Sequence, residues 1–249
     1  MSTPLVGRRR HAWGDVGSTQ DELARLAAAG APDGTVVTAE HQTGGRGRRG
    51  RSWWDAPGEN LLVSILLRPP VSAAEAPALS LVGAVAVVDA LAATAGVAAG
   101  IRWPNDILIE GRKLAGILAE GVARPDGRLQ HALLGIGLNV NQTAFPAAVR
   151  DLATSLRIVT GRAHDRGALL DGLLAALDRR YGQFLTGGFA AMRSDWRAHS
   201  VTLGRPVRTA DGVDAEAEDV DDDGALVLRA SGGAAMRLRA GEIVSAPPA

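Results

Sequence analysis

The 249-residue sequence predicts an α/β domain followed by a small β unit, and three stretches carry that prediction. "NLLVSILLRPP" is a continuous apolar run stopped by Pro69 and Pro70, the pattern of a strand buried on both faces. Residues 79–95 are apolar over a helical length, and their Ala and Gly content suits close packing on a sheet. Beyond Ser200 the texture changes to short Val, Leu and Ile runs between Gly and Asp turns, as in antiparallel hairpins. The expected domains are residues 1–199 and 200–249.

The elements follow in order. "GSTQDELARLAAAG" reads as a helix with Ser18 as N-cap, Asp21 three residues on, and Gly30 and Pro32 closing it. "GTVVTAEHQ" is a strand that runs into an arginine-rich loop. Short strands are expected at 100–103, 107–109, 114–121 and 129–141, separated by the turn signals "PND", "EGR" and "PDGR". Residues 168–185 have helical periodicity, and another helix is expected over 189–199. The acidic run 219–223 reads as a solvated turn.

Composition limits the chemistry. Lys plus Arg and Asp plus Glu are 27 each, a balance that argues against coating nucleic acid. With no cysteine there is no disulfide, thiolate metal site or cysteine nucleophile. The basic N-terminus lacks a following apolar segment, so no signal peptide is expected. The stretch 79–100 is long enough to span a bilayer, but Asp89 near its centre favours a buried helix. A cytoplasmic protein is expected. Lys113 is the only lysine among 27 basic residues, which suggests a place where guanidinium does not serve; chance survival is the alternative.

Four segments carry chemistry. "HQTGGRGRRGRSWW" places Arg46, Arg48, Arg49 and Arg51 among glycines. Such a loop repels itself when empty and orders around an anion, with backbone N–H groups and bidentate guanidinium bonds to phosphate. An RNA-binding Arg-Gly segment is the rival reading, although such segments normally repeat in disordered tails. "RWPNDI" presents Asn105 and Asp106 at a strand end, where a plain turn is the simpler reading. In "GRKLAGILAEG", Lys113 enters a strand whose Ala115 and Gly116 leave room for a flat ligand. "GIGLNVN" has small residues alternating with apolar ones before two amides. Singly, each has an equivalent in ordinary sheet packing.

In this order and at these spacings, "GSTQ", "GRGRRGR", "WPND", "KLAGIL" and "GIGLNVN" resemble the biotin protein ligase family. The resemblance implies a class II aminoacyl-tRNA-synthetase-like catalytic domain, with a mixed sheet flanked by helices, and a small C-terminal SH3-like β-barrel. It implies a ligase that uses biotin, ATP and Mg2+ to make biotinyl-AMP. The biotin is then passed to a lysine of the carboxyl carrier domain of an acetyl-CoA, acyl-CoA or pyruvate carboxylase. By the same resemblance, Ser18, Thr19, Gln20, Gln42, Gly45, Arg46, Gly47, Arg48, Lys113, Gly116 and Ile117 bind biotin. Arg46, Arg48, Arg49, Arg51, Trp54, Asn105, Lys113 and Asn139 bind ATP or the adenylate. Lys113, Arg46, Arg48 and Asp106 are the catalytic set, with Asp106 accepting a proton from the acceptor amine or orienting it; metal ligands stay open. Two departures stand out: Gln20 where the family usually has Asn, and Arg102 where it often has Lys. About 17 residues precede the first motif, too few for a DNA-binding module, so no repressor activity is expected. A monomer or weak homodimer without DNA or membrane partners is the expected state.

Overall fold

The computed structural model of the chain describes residues 5–239, 241 and 243–245. The outermost residues of both expected domains, with Ala240 and Glu242 of the second, lie outside the described residues. Every residue of β3 (Leu61–Leu67) is buried, as its unbroken apolar sequence requires. It sits inside a seven-stranded sheet that also contains β1 (Arg10–Val16), β2 (Val36–Gln42), β4 (Gly100–Arg102), β5 (Asp106–Ile109), β6 (Arg112–Ala123) and β7 (Leu129–Leu138). The strand order is β1-β2-β3-β7-β6-β5-β4. Strands β1 and β2 run parallel and the other neighbours antiparallel, which makes the sheet mixed, as expected.

Helices cover both faces. On one, Leu23 and Ala27 of α1 (Thr19–Ala28) pack on Val37, Leu66 and Leu133. On the other, the long apolar helix α2 (Ala78–Ala95) lies close to the sheet. A Cβ added at its Gly83 would stand 3.2 Å from Ile117, so a larger residue would push the helix away. The most apolar window of this segment is 78% buried, which marks it as a core helix. Its Asp89 meets Arg180 of α4 (Arg166–Gly187) with Nε–Oδ2 at 2.8 Å. Short helices α3 (Leu156–Thr160) and α5 (Arg193–His199) complete this part.

Three local features differ from the sequence reading. Strand β1 was not expected: "RHAWGDV" is exposed on nearly every residue, so it has no apolar alternation. Strand β7 stops at Leu138, and Asn139 makes the last backbone bond to β6 while its side chain ties to the segment beyond. Asn139 N–H donates to the Leu114 carbonyl at 3.0 Å, and its Nδ2 to the Thr154 carbonyl at 2.9 Å. The acidic run 219–223 is not a free solvated turn. Arg193 of α5 reaches Asp219 at 2.6 Å and Asp222 at 3.1 Å, and Arg239 pairs with Asp223 at 2.6 Å. These partners are remote in sequence, which is why local composition misleads.

The chain ends in a five-stranded antiparallel sheet, ordered β11-β10-β9-β8-β12. Its strands are β8 (Pro206–Thr209), β9 (Asp214–Val220), β10 (Leu226–Ala230), β11 (Ala235–Leu238) and β12 (Ile243–Ser245). Its apolar side, including Val207, Ala217, Val220 and Leu226, joins the main core. Trp103 reaches across as well, with Nε1 donating to the Gly224 carbonyl at 3.3 Å.

Candidate active site

Glycines make a flat floor. Gly116 of β6 stands directly opposite Gly137 of β7, and Gly135 opposite Ser64 of β3. The floor is covered by the indole of Trp53: a Cβ at Gly137 would lie 2.5 Å from its Cε2, and one at Gly116 would lie 3.1 Å from its Cζ3. Lys113 lies beside it, with Nζ 5.8 Å from the Trp53 ring centre, within cation–π range.

Lys113 is held by a carboxylate. Its Nζ is 2.5 Å from Asp106 Oδ1, while Arg102 Nη2 is 2.6 Å from Asp106 Oδ2. Burial pushes the Asp106 carboxyl up, but the Lys113 ammonium and Arg102 guanidinium outweigh burial and hold it below the usual carboxylate range. The preceding Asn105 is tied into β6, donating from Nδ2 to the Ile117 carbonyl at 2.9 Å.

The arginine loop is closed on itself. Trp53 N–H donates to the Gly45 carbonyl at 2.9 Å, and Arg46 bridges to Ser52 across the neck. A Cβ at Gly45 would stand 2.7 Å from the Trp53 carbonyl oxygen, so only glycine fits there. At the tip, Arg49 adopts φ 56°, the left-handed region. The loop's charge is not left to self-repulsion. Arg46 pairs with Asp21 at 2.8 Å and approaches Glu120 at 3.7 Å, and the Asp21 hydrogen bond raises its pKa. Arg48 donates to the Gly241 carbonyl at 2.8 Å and to Asn105 Oδ1 at 3.4 Å. Burial and repulsion from Arg49 lower the Arg48 pKa, and Asp106 offsets part of that.

A third cluster sits at the start of α1. Thr19 donates from N–H and Oγ1 to Gln42 Oε1 at 2.8 and 3.0 Å, and its hydroxyl meets Ser64 Oγ at 2.8 Å. Ser18 caps the helix by accepting from the Gln20 N–H. Gln20 turns its amide to the Leu133 carbonyl at 3.3 Å and packs on Gly135.

The structure thus gathers Thr19, Gln42, the loop, Asn105, Asp106, Lys113 and Gly116 around one sheet surface. Three expected residues stand apart from that floor. The Ile117 side chain faces α2, Asn139 ties down the segment after β7, and Trp54 is 45% exposed with its ring tilted against Phe145, centroids 6.3 Å apart.

Residues 14–139 match the profile of the biotin/lipoate A/B protein ligase family. The chain belongs to this family. A biotin--[acetyl-CoA-carboxylase] ligase of Paracoccus denitrificans is 40% identical over 225 residues, spanning 87% of this chain and 92% of that protein. A bifunctional ligase/repressor BirA of Bacillus spizizenii is 37% identical over 238 residues, 94% of this chain and 73% of that protein. Among solved structures, the biotin protein ligase of Aquifex aeolicus in complex with biotin and ATP superimposes with a TM-score of 0.82. The match has 27% identity and covers 95% of this chain and 98% of that one.

Within this ligase family member, sequence reasoning missed Trp53, Ser64, Gly137 and Asp21. Trp53 and Trp54 are adjacent and chemically alike, so only the path of the loop tells them apart. The pairing of Gly116 with Gly137 depends on strand register, which a linear motif does not display. Asp21 carried a signal, being acidic in the first turn of α1, but it was read only as helix capping.

Proposed function

We propose that the protein activates biotin as biotinyl-5'-AMP and transfers it to a lysine of a carboxyl carrier domain. The observation that carries this reading is the Lys113–Asp106 pair beside the glycine floor, with Arg48 reaching the adjacent Asn105 Oδ1 at 3.4 Å. In the first step a biotin carboxylate oxygen attacks the α-phosphorus of ATP, and the bond to pyrophosphate breaks. Two anions must meet, and each unit charge pair at about 4 Å is worth on the order of 4 kcal/mol at an effective dielectric of 20. Preorganised cations are therefore the main resource. Lys113 is a compact point charge for the carboxylate and α-phosphate oxygens; Arg46 and Arg48 extend that field, with Arg49 and Arg51 at the tip.

Competition is built in. Asp106, Asp21 and the Gly241 carbonyl occupy these cations, so a phosphate with more negative charge must displace them. Transfer follows when the carrier amine attacks the activated carbonyl carbon and AMP leaves. A carboxyl held below its usual range is a poor base at neutral pH, which favours Asp106 as the group that orients the amine and holds Lys113. Thr19, Gln42 and Ser18 would bind the biotin head, and Asn105 would position the nucleotide. Gly45, Gly47 and Gly116 would admit ligand close to backbone, while Gln20, Ile117 and Asn139 would shape the walls. Mg2+ would enter with the ATP phosphates, which supply most of its ligands, and the protein's own cations would act beside it. The partner in this reading is a carrier protein in the cytoplasm, and the balanced formal charge argues against a nucleic-acid-coating role.

Biotin-dependent exchange of radiolabel between pyrophosphate and ATP tests the reading, with lipoate offered in parallel. Exchange with biotin alone is expected. Exchange with lipoate only, or none with either, overturns it.

A further inference from the structure

We infer that His41 and Asp55 form a clasp at the neck of the arginine loop and act as positioning residues for the adenylate. The inference rests on the ligase reading and deepens it. His41 is the penultimate residue of β2 and shares its alternation with Val37 and Ala39, the side on which α1 packs. Asp55 is the first residue after the paired tryptophans. The two therefore stand where the chain enters and leaves the loop.

Their contact is specific. His41 Nδ1 lies 2.8 Å from Asp55 Oδ2, and the Asp55 side chain is completely buried while the His41 ring keeps 25% exposure. A second tie adjoins it. Ala56 N–H donates to Gln142 Oε1 at 3.2 Å, and that oxygen also accepts from Asn60 Nδ2 at 2.6 Å. Asp55 Oδ1 and Gln142 Nε2, an acceptor and a donor, are both buried without a partner among the described residues. A buried carboxylate in such a setting is costly to leave unpaired, so His41 is the contact that makes Asp55 tolerable there.

The consequence is mechanical. Above this clasp come the Trp53–Gly45 hydrogen bond and the Arg46–Ser52 bridge, so the loop is a lasso with its ends already joined. Joining the ends beforehand reduces the entropy that anion binding must overcome at the tip. Without the clasp, Trp53 and the arginines lose their common base. The first step can still proceed, but the adenylate escapes sooner.

The test has two arms, each comparing wild type with His41→Ala and His41→Asn, whose amide can still donate to Asp55. In the first, amide hydrogen exchange over residues 43–54 is followed in the ligand-free chain. Exchange that is faster over residues 43–54 than over the rest of the chain is expected in His41→Ala, and near-wild-type exchange in His41→Asn. Unchanged exchange in His41→Ala overturns the clasp, whatever the enzyme does with biotin. In the second, enzyme-bound labelled biotinyl-AMP is chased with excess unlabelled compound. Release is expected to be roughly tenfold faster in His41→Ala, the scale of one charge-assisted hydrogen bond, and restored in His41→Asn. Wild-type release from a loop that exchanges faster overturns the positioning role. A wild-type chain that forms no adenylate defeats the ligase reading, while the exchange arm still decides the clasp.

Discussion

Lys113 and Asp106 form an ion pair at 2.5 Å, and it joins the only lysine of the chain to a carboxylate held by Arg102 as well. The pair aims the ammonium along the glycine floor. A Cβ at Gly116 would stand only 3.2 Å from Lys113 Nζ, so little room remains beside it. A planar guanidinium is larger and directs its donors differently. Lys113→Arg is therefore expected to lose about 100-fold in biotin-dependent pyrophosphate exchange despite its conserved charge, the usual scale for removing one preorganised electrostatic contact. Wild-type exchange would make the lone lysine a coincidence.

Arg48 donates to two groups outside the loop among the described residues, Asn105 and the Gly241 carbonyl. Removing it frees the loop from both while leaving Lys113 in place. Arg48→Gly should still make biotinyl-AMP but release it, so that exposed lysines on bystander proteins become labelled. Streptavidin blotting of a mixture with an unrelated protein checks this, and labelling confined to the carrier domain would refute the retention role.

The floor admits a sharper steric test. Gly137→Ala places a methyl 2.5 Å from Trp53 Cε2, a separation that forces the indole to move. Overpacking of this kind typically costs about 1–3 kcal/mol. Biotin affinity measured by calorimetry should weaken by roughly tenfold or more, with the fold intact by circular dichroism. Unaltered affinity would remove Trp53 from the site.

Asp106 predicts an acid signature. Its folded-state pKa lies below the ordinary 3.8, so the folded protein takes up this proton less readily than the unfolded chain. The stabilisation is present above 3.8 and is lost as pH falls through the lowered folded value. Asp106→Asn should melt lower than wild type at neutral pH, and the gap should close on acidification. Parallel melting curves at every pH would contradict the assignment.

The sequence disclosed what is chemically unusual and concealed what depends on pairing. The arginine loop, the lone lysine and the strand β3 are legible because each breaks the local norm. Strand β1 is not, because an exposed edge strand needs no apolar pattern. The choice of Trp53 over Trp54, the Gly116–Gly137 floor, the Arg193 seam to Asp219 and Asp222, and the His41–Asp55 clasp all arise between segments far apart in the chain. Composition has no term for such contacts.

The central claim is that Lys113 and the loop arginines exchange their protein partners for the adenylate's phosphate. A crystal structure with biotinyl-AMP tests it most directly. Lys113 Nζ and the Arg46 and Arg48 guanidinium groups should lie about 3 Å from carboxylate-derived or phosphoryl oxygens, with Asp21 and Gly241 released. Those three side chains still paired with Asp106, Asp21 and Gly241, and the phosphate elsewhere, would contradict it.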